Sequence, residues 1–257
     1  MQDLTITLLQ TELAWHDPEA NRAQFAELMG TLTEPTDLIV LPEMFTTGFT
    51  MDVRQQAESM AGPTVTWMAK LAREHKVALC GSLLVEDGGR YFNRCVWIAS
   101  DGKHHHYDKR HLFRMAGEHE HFTPGQERLI VELKGWRVCP LVCYDLRFPV
   151  WSRGANAFDL LIYVANWPAA RRGAWQALLP ARAVENQCYV AGVNRIGTDG
   201  KGVTYAGDSG VYDYLGRAPV NSGAEPGHRT ATLSLGDLRR YRKKFPAYLD
   251  ADEFRIV

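Results

Sequence analysis

The chain has 257 residues, 46% of them hydrophobic and 23% charged, which is enough to bury a substantial core in one large α/β domain or two small ones. A formal net charge of −1 excludes a global field that would attract nucleic acid or an anionic membrane. Five cysteines without a Cys-x-x-Cys pair exclude a disulfide framework and the usual paired zinc ligands. We expect a cytoplasmic protein with no signal peptide, membrane span, metal or cofactor.

The first half of the chain predicts strands and helices in alternation. Asp17 is expected to cap a helix that begins at Pro18, and a second helix is expected at residues 64–75. The predicted strands are residues 4–9, 37–41, 77–84 and 91–99, the last two forming a hairpin.

The second half continues the same alternation and adds a closing helix. The predicted strands are residues 129–133, 137–142, 159–164, 189–194, 209–212 and 230–235, with a helix at 173–186. Hairpins together with crossover connections favour an α/β sandwich over a barrel. Since there is no internal repeat or linker, we expect one domain, residues 1–257, whose segment from about 236 to 257 contributes to packing or dimerisation.

Glu43 is the first candidate catalytic residue. It directly follows four apolar residues and Pro42, so we expect burial to raise its pKa and make it a proton acceptor near neutral pH. The alternative is a carboxylate at a strand end that pairs with an arginine or caps a loop.

Lys109 is the second candidate, in a polar stretch that runs into Leu112 and Phe113. There it would lie at the mouth of a cleft as a fixed positive charge for a developing oxyanion. The alternative is an ordinary surface lysine.

Cys143 is the third candidate, because it lies where an apolar strand gives way to a polar turn. This context resembles the strand-to-helix elbow that presents the nucleophile of other hydrolases, and a helix start nearby would favour the thiolate. The alternative is a buried, unreactive cysteine, which is what we expect of the other four: Cys80, Cys95, Cys139 and Cys188.

Other candidate sites are less specific. Consecutive side chains in the extended run His104 to His106 point to alternate sides, and no further zinc ligand is evident. The glycines form no phosphate-binding loop, and there is no Gly-x-Ser-x-Gly elbow, which disfavours a nucleotide-binding protein and a serine hydrolase.

As an ordered set, these segments resemble the Glu–Lys–Cys signature of the nitrilase (carbon–nitrogen hydrolase) superfamily. The resemblance extends over roughly residues 4 to 250 and includes the segments Arg182 to Gln187 and Gly207 to Ser209. Within the superfamily the chain looks most like the bacterial omega-amidases, as the segment Tyr163 to Pro168 and the ending Phe245 to Phe254 indicate.

The resemblance implies a four-layer αββα sandwich that forms a homodimer through its helices. It implies that Glu43 is the general base, that Cys143 is the nucleophile, and that Lys109 and the backbone N–H of Tyr144 stabilise the oxyanion. It also implies a second glutamate at a fixed distance before the Pro-Gly turn at residues 124–125; this is Glu118, with Glu120 as the alternative.

The implied activity is hydrolysis of the terminal amide of short dicarboxylic monoamides, such as 2-oxoglutaramate and 2-oxosuccinamate, with water as co-substrate and a cysteine thioester intermediate. Arg147 would bind the free carboxylate, unless it pairs with Asp145 or another carboxylate. Arg171 and Arg172 stand where eukaryotic relatives have a hydroxyl-bearing loop, so the resemblance does not predict the other residues of the carboxylate-binding pocket. The alternatives are an aliphatic amidase, an N-carbamoyl hydrolase, a nitrilase, or a non-catalytic binding protein on the same fold.

Overall fold

The computed structural model describes residues 2–154 and 156–254. Strands and α-helices follow one another along these residues in the order β1 (Leu4–Gln10), α1 (Pro18–Gly30), β2 (Leu38–Val40), α2 (Val53–Gln56), α3 (Pro63–His75), β3 (Ala78–Asp87), β4 (Arg90–Ile98), β5 (His104–Asp108), α4 (Glu118–His121), β6 (Val131–Leu133), β7 (Trp136–Val142), α5 (Pro149–Ser152), β8 (Leu160–Ala165), α6 (Arg172–Asn186), β9 (Tyr189–Asn194), β10 (Ile196–Thr198), β11 (Thr204–Ala206), β12 (Gly210–Tyr212), β13 (Val220–Asn221), β14 (Gly227–Leu233) and α7 (Leu235–Lys244).

Two six-stranded sheets form the centre of the molecule, with strand orders β14-β1-β2-β3-β4-β5 and β13-β12-β9-β8-β7-β6. Their apolar inner faces pack together, so that Ile6 and Leu8 of β1 belong to the same buried core as Leu141 of β7 and Ile162 of β8. This face-to-face packing makes the sheets the two inner layers of the molecule.

Helices cover both outer faces. Phe25 of α1 and Met68 of α3 pack against the first sheet in a second buried core. On the second sheet, α6 lies so close that a Cβ added at Gly192 would come within 2.6 Å of Leu179. The result is the predicted αββα sandwich.

Local sequence accounts for the helix starts. The Asp17 carboxylate accepts a hydrogen bond from Ala20 N at 3.0 Å, and Pro18 occupies the first helical position, as predicted. Helix α3 likewise begins with a proline, Pro63, and the Glu58 carboxylate accepts the Thr64 N–H at 2.8 Å.

Several elements of the fold were not predicted, namely the four-residue helices α2, α4 and α5, the two-residue strand β13, strand β5 and the small β10–β11 hairpin. The last two bear on the candidate site. Strand β5 contains the histidine run and has an exposed first half, so it lacks the apolar alternation of the other strands. The hairpin pairs only three residues on each side and belongs to neither large sheet. Both features nevertheless position residues of the candidate site.

The C-terminal helix α7 packs on the second sheet. Leu235 and Leu238 are buried, and Arg242 donates to Asp159 Oδ1 at 2.6 Å and to Phe158 O at 2.7 Å. The predicted C-terminal segment continues beyond this helix, and its last three residues, 255–257, lie outside the described residues. Within the described residues, no helix has both the length and the apolar character needed to cross a membrane.

Candidate active site

The structure brings Glu43, Lys109 and Cys143 together at one edge of the two sheets. Each follows the carboxyl end of a strand, β2, β5 and β7 respectively. Lys109 Nζ donates to Glu43 Oε1 at 2.9 Å, and the Cys143 thiol lies near enough to the same carboxylate for its charge to act on the sulfur. Three residues that are distant in the sequence therefore form one buried cluster.

Glu118 completes this cluster. Lys109 Nζ lies 2.9 Å from both of its carboxylate oxygens, and its side chain is fully buried. Glu120 is the alternative choice, but its side chain is 68% exposed and has only a 3.9 Å contact with His119. Of the two glutamates, the structure places Glu118 beside Lys109.

Lys109 is buried at the inner side of the cavity instead of lying at its mouth, which corrects that part of the prediction. Its exposed fraction is 1%, because β5 ends in the interior of the sandwich edge. Burial alone lowers the pKa of this lysine, but the Glu118 and Glu43 carboxylates outweigh it and raise the pKa above its ordinary value. The surroundings of Lys109 therefore favour its charged ammonium form.

Asn93 of β4 connects the two glutamates and was not predicted as a site residue. Its Nδ2 donates to Glu43 Oε1 at 2.7 Å and to Glu118 Oε1 at 3.1 Å. Its Oδ1 accepts a hydrogen bond from the Ser82 hydroxyl at 2.8 Å, which fixes the orientation of the amide. Strand β4 also contains Arg90 and Arg94, so a polar residue at position 93 does not stand out in the sequence.

Cys143 sits in a strained backbone conformation. Its φ is +44°, and residues Cys143–Arg147 form a 3₁₀ turn directly after β7. The predicted elbow is therefore present, but it leads into a 3₁₀ turn instead of a regular helix.

Polar groups from three other elements hold this turn in place. The buried Asp145 carboxylate accepts hydrogen bonds from Val142 N at 3.0 Å, the Tyr107 hydroxyl at 2.7 Å and His111 N at 3.0 Å. From α6, Arg182 donates to Leu146 O at 2.7 Å. These bonds counter the strain at Cys143 and keep its thiol beside Glu43.

The surroundings of Cys143 favour the protonated thiol, although the Lys109 ammonium opposes this by lowering the pKa of the thiol. Burial raises the pKa of this thiol well above its ordinary value, and the adjacent Glu43 carboxylate raises it further. The expectation that a helix start would favour the thiolate was wrong, because no regular helix begins at Cys143 and a carboxylate lies next to it. The attacking sulfur therefore needs a base, and Glu43 is in position to be that base.

The other four cysteines are fully buried, as predicted. They lie within the apolar core, and burial raises the pKa of the Cys139 thiol to about 12. Because all four side chains are buried, these thiols have no access to a substrate.

A cavity of about 220 Å³ opens next to Cys143. Aromatic side chains form much of its wall, and four cationic residues line it: Lys109, Arg147, Arg171 and Lys201. Such a cavity has room for a short, anionic molecule with its reacting carbon next to the sulfur.

Arg147 lines this cavity and has no salt bridge to any described carboxylate. Its guanidinium lies 5.1 Å from the centroid of the Trp167 ring. The alternative pairing with Asp145 does not occur, because Asp145 is occupied by the hydrogen bonds that hold the Cys143 turn. The charge of Arg147 is available to a ligand.

The two arginines that follow Pro168 have different surroundings. Arg172 forms a bidentate ion pair with Asp208, at 2.6 and 2.9 Å. Arg171 lines the cavity, with its guanidinium 5.1 Å from the centroid of the Phe113 ring. Arg171 is therefore a second cation of the cavity, and Arg172 is structural.

The β10–β11 hairpin forms one wall of the cavity. The Tyr205 hydroxyl donates to Asp199 Oδ2 at 2.8 Å, and Asp199 Oδ1 accepts the N–H groups of Lys201 and Val203, each at 2.9 Å. Arg195 supports Tyr205 from behind, 4.7 Å from its ring centroid. The hairpin is thus held in a fixed shape over the cavity.

The described part of the chain has no group of three His, Cys, Asp or Glu side chains arranged to hold a metal ion. In the predicted histidine run, His104 and His105 are exposed on β5 and His106 pairs across from Val96. The chemistry available at the site is that of a thiol, two carboxylates and several cations.

Comparison with known proteins gives a consistent result. A family profile described as carbon–nitrogen hydrolase matches residues 5–243. The chain is 51% identical to omega-amidase YafV of Escherichia coli, with 100% of each sequence covered, and 32% identical to the 2-oxoglutaramate amidase of Bacillus subtilis, with 96% of each covered. A CN-hydrolase superfamily protein of Xanthomonas campestris, crystallised with an arsenic adduct in its active site, superposes with a TM-score of 0.97 at 46% identity, and 100% of each chain is covered.

Proposed function

This chain belongs to the carbon–nitrogen hydrolase family, and from that premise we propose that it is an omega-amidase. It hydrolyses the terminal amide of short dicarboxylic monoamides, such as 2-oxoglutaramate and 2-oxosuccinamate, to the acid and ammonia. The observation that carries this proposal is a cavity that has Cys143 with its carboxylate and ammonium partners on one side and the free cation Arg147 in the same wall.

In the acylation step, Glu43 accepts the proton of the Cys143 thiol and the sulfur attacks the amide carbon. Lys109 and the backbone N–H of Tyr144 stabilise the negative charge on the tetrahedral oxygen; one such donor is typically worth about 2.7–4 kcal/mol. The carbon–nitrogen bond breaks as the nitrogen takes the proton from Glu43, and ammonia leaves. This step needs a neutral thiol next to a carboxylate, which is the arrangement present.

In the deacylation step, water releases the acid from the thioester. Glu43 accepts a proton from the attacking water, and the thiol leaves in its protonated form. Glu118 holds Lys109 in place through both carboxylate oxygens. Burial raises the pKa of Glu118, and the Lys109 ammonium partly offsets this rise.

The free carboxylate of the substrate binds to Arg147, with Arg171 as a second contact. A guanidinium group can bind a carboxylate through two parallel N–H donors, which a lysine ammonium cannot reproduce. The Trp167 and Phe113 rings lie next to these guanidinium groups and restrict their movement. This arrangement favours an acidic amide over a neutral aliphatic one.

The experiment compares turnover of 2-oxoglutaramate, glutaramate, glutamine, butyramide, a simple nitrile and N-carbamoyl-β-alanine. We expect kcat/KM to be highest for 2-oxoglutaramate, and Cys143→Ala to abolish its hydrolysis. Preference for the nitrile or the carbamoyl compound would assign the chain to another activity of the family. A binding protein on the same fold would turn over none of them and would gain no acyl mass on Cys143.

Arg147→Lys tests the carboxylate contact directly. We expect the KM for 2-oxoglutaramate to rise about tenfold or more, since a bidentate charged contact is lost, while kcat/KM for butyramide changes little. Arg172→Lys is the matched control, because Arg172 is paired with Asp208 and does not line the cavity. An unchanged KM in the Arg147 variant would remove the carboxylate role.

We also propose that the whole chain acts as one domain in the cytoplasm and forms a homodimer. Large apolar side chains are exposed on α5, on α6 and in the C-terminal segment, namely Val150, Val184 and Leu249. A partner helix layer would remove these side chains from water. Sedimentation velocity on the full chain distinguishes a dimer of twice 29.0 kDa from a monomer.

A further inference from the structure

Asn166 lies at the carboxyl end of β8, next to the catalytic cluster. Its backbone N–H donates to Glu43 Oε2 at 2.8 Å, and its side-chain Nδ2 donates to Glu43 O at 2.6 Å. These two bonds fix the side chain and assign its nitrogen and oxygen, because a carbonyl oxygen can only accept. The side chain is held rigidly and is 3% exposed.

The other end of this amide is unsatisfied. Asn166 Oδ1 is buried and has no hydrogen-bond partner among the described residues, and Asn166 lines the same cavity as Cys143. A buried acceptor without a partner costs free energy, so its retention in a catalytic cavity indicates a ligand that supplies a donor.

The remaining polar side chains in the cavity wall do not offer a comparable acceptor. The cationic groups of Lys109, Arg147, Arg171 and Lys201 can only donate hydrogen bonds. Asp199 could accept, but both of its oxygens already take hydrogen bonds from within the hairpin. The Tyr144 and Tyr205 hydroxyls also line the cavity, but each can donate as well as accept, and Tyr205 already bonds to Asp199. Among the described residues of the cavity wall, Asn166 Oδ1 is thus the amide oxygen that is buried without a partner.

We infer that Asn166 Oδ1 accepts a hydrogen bond from the N–H₂ group of the scissile amide and thereby selects amides over esters of the same acid. The inference rests on the proposed amidase function. With one N–H held by Asn166, the nitrogen lies close to Glu43, whose carboxylate is bonded to the Asn166 backbone. Glu43 then delivers to this nitrogen the proton it took from Cys143, the carbon–nitrogen bond breaks, and ammonia leaves.

The test uses two substrates with one acyl group, 2-oxoglutaramate and the terminal methyl ester of 2-oxoglutarate. Both form the same thioester on Cys143, but only the amide has N–H donors. Because kcat/KM covers the steps up to acylation, it reports the leaving group and not the shared deacylation. We expect Asn166→Leu to lower kcat/KM for the amide about 10- to 100-fold and for the ester less than about threefold.

Asn166→Ala repeats the measurement with a side chain that is only shortened, and decides the test if leucine prevents folding. Asn194→Ser is the matched control: this buried asparagine is the last residue of β9, and its Oδ1 already accepts from Trp167 N and Arg195 N. The control substitution should change kcat/KM for the amide and for the ester by the same factor.

The outcomes separate the inference from the function on which it rests. An equal loss for amide and ester in both Asn166 variants would mean that Asn166 acts only by holding Glu43, and would overturn the inference. Wild-type kcat/KM for both substrates in the two Asn166 variants would overturn it as well. Wild-type protein that hydrolyses the ester but no amide would instead refute the proposed amidase function.

Discussion

At the residue scale, Asn93 shows how two carboxylates are kept in one small site. Glu43 and Glu118 both direct an oxygen at Lys109, so their charges repel each other across the ammonium group. Asn93 Nδ2 donates to the same two oxygens, and its own orientation is set by Ser82. It is a positioning residue, since it acts on the substrate only through Glu43 and Glu118.

Replacing Asn93 should therefore reduce catalysis without abolishing it. A hydrogen bond to a charged group is worth about 1.5–3 kcal/mol, so we expect Asn93→Ala to lower kcat roughly 10- to 100-fold. The acid limb of the kcat–pH profile should also move to higher pH, because the Glu118 carboxylate, whose pKa burial already raises, loses a donor that favours its charged form. A purely structural role would leave the position of this limb unchanged.

Asn221→Ala is the control for this variant. Asn221 is exposed, and its side chain accepts a hydrogen bond only from Gly223 N within a surface turn. Its replacement should leave kcat and the pH profile as in the wild type. A wild-type profile in the Asn93 variant would contradict the positioning role.

The sequence predicted some of these residues and missed others for a physical reason. Cys143, Glu43 and Lys109 each follow a recognisable strand or polar stretch, and their order along the chain is distinctive. Asn93 and Asn166 act through contacts between elements far apart in sequence. Nothing in their local patterns encodes which carboxylate they will meet.

At the element scale, the position of Lys109 depends on the turn at Pro124 and Gly125. Gly125 N donates to Lys109 O at 2.9 Å, and a Cβ added at Gly125 would lie 2.0 Å from the carbonyl oxygen of Asp108. The close approach of the two backbones requires glycine. The turn thus fixes the end of β5, from which the lysine extends.

We expect Gly125→Ala to displace the end of β5 and the Lys109 ammonium group with it. Overpacking of this kind typically costs about 1–3 kcal/mol of stability, and misplacement of a catalytic group by about 1 Å can cost about 100-fold in rate. Urea unfolding and kcat/KM for 2-oxoglutaramate measure the two effects.

Gly30→Ala is the matched control for Gly125→Ala. A Cβ at Gly30 would meet no atom within 4 Å, so both stability and activity should stay near wild type. If the Gly125 variant behaved like this control, the turn would not determine the position of Lys109.

The strands that the sequence did not predict are short or partly exposed, so they lack a clear alternation of apolar and polar residues. Most strands, such as β7 and β9, are apolar over nearly their whole length and were placed within a residue or two. Strand β5 has an exposed half, and β10 and β11 contain three residues each. Short or exposed strands carry too little apolar pattern to be distinguished from loops.

At the scale of the whole molecule, the core between the two sheets contains several buried thiols. Cys80, Cys95, Cys139 and Cys188 are all 0% exposed. Burial raises the pKa of Cys139 to about 12 and also raises that of Cys188, while the pKa of Cys95 is raised by its hydrogen bond to Cys80 and by burial. In the unfolded chain these thiols titrate near their ordinary value of about 8.5.

This difference makes the fold less stable in alkaline solution. Above pH 9 the unfolded chain loses thiol protons that the folded chain keeps, so the free energy of unfolding falls as pH rises toward the folded pKa values. Each thiol contributes a slope of at most about 1.4 kcal/mol per pH unit. We expect urea unfolding at pH 9, 10 and 11 to show this decline.

Cys139→Ala should reduce the slope between pH 9 and 11 by up to about 1.4 kcal/mol per pH unit, because alanine does not titrate in either state. The variant is less stable at pH 7, since a buried side chain is shortened, but that loss is the same at every pH. Only the slope of the free energy of unfolding against pH measures the titration of the Cys139 thiol. A variant that declines with pH as steeply as the wild type would show that the Cys139 thiol does not contribute to the alkaline loss of stability.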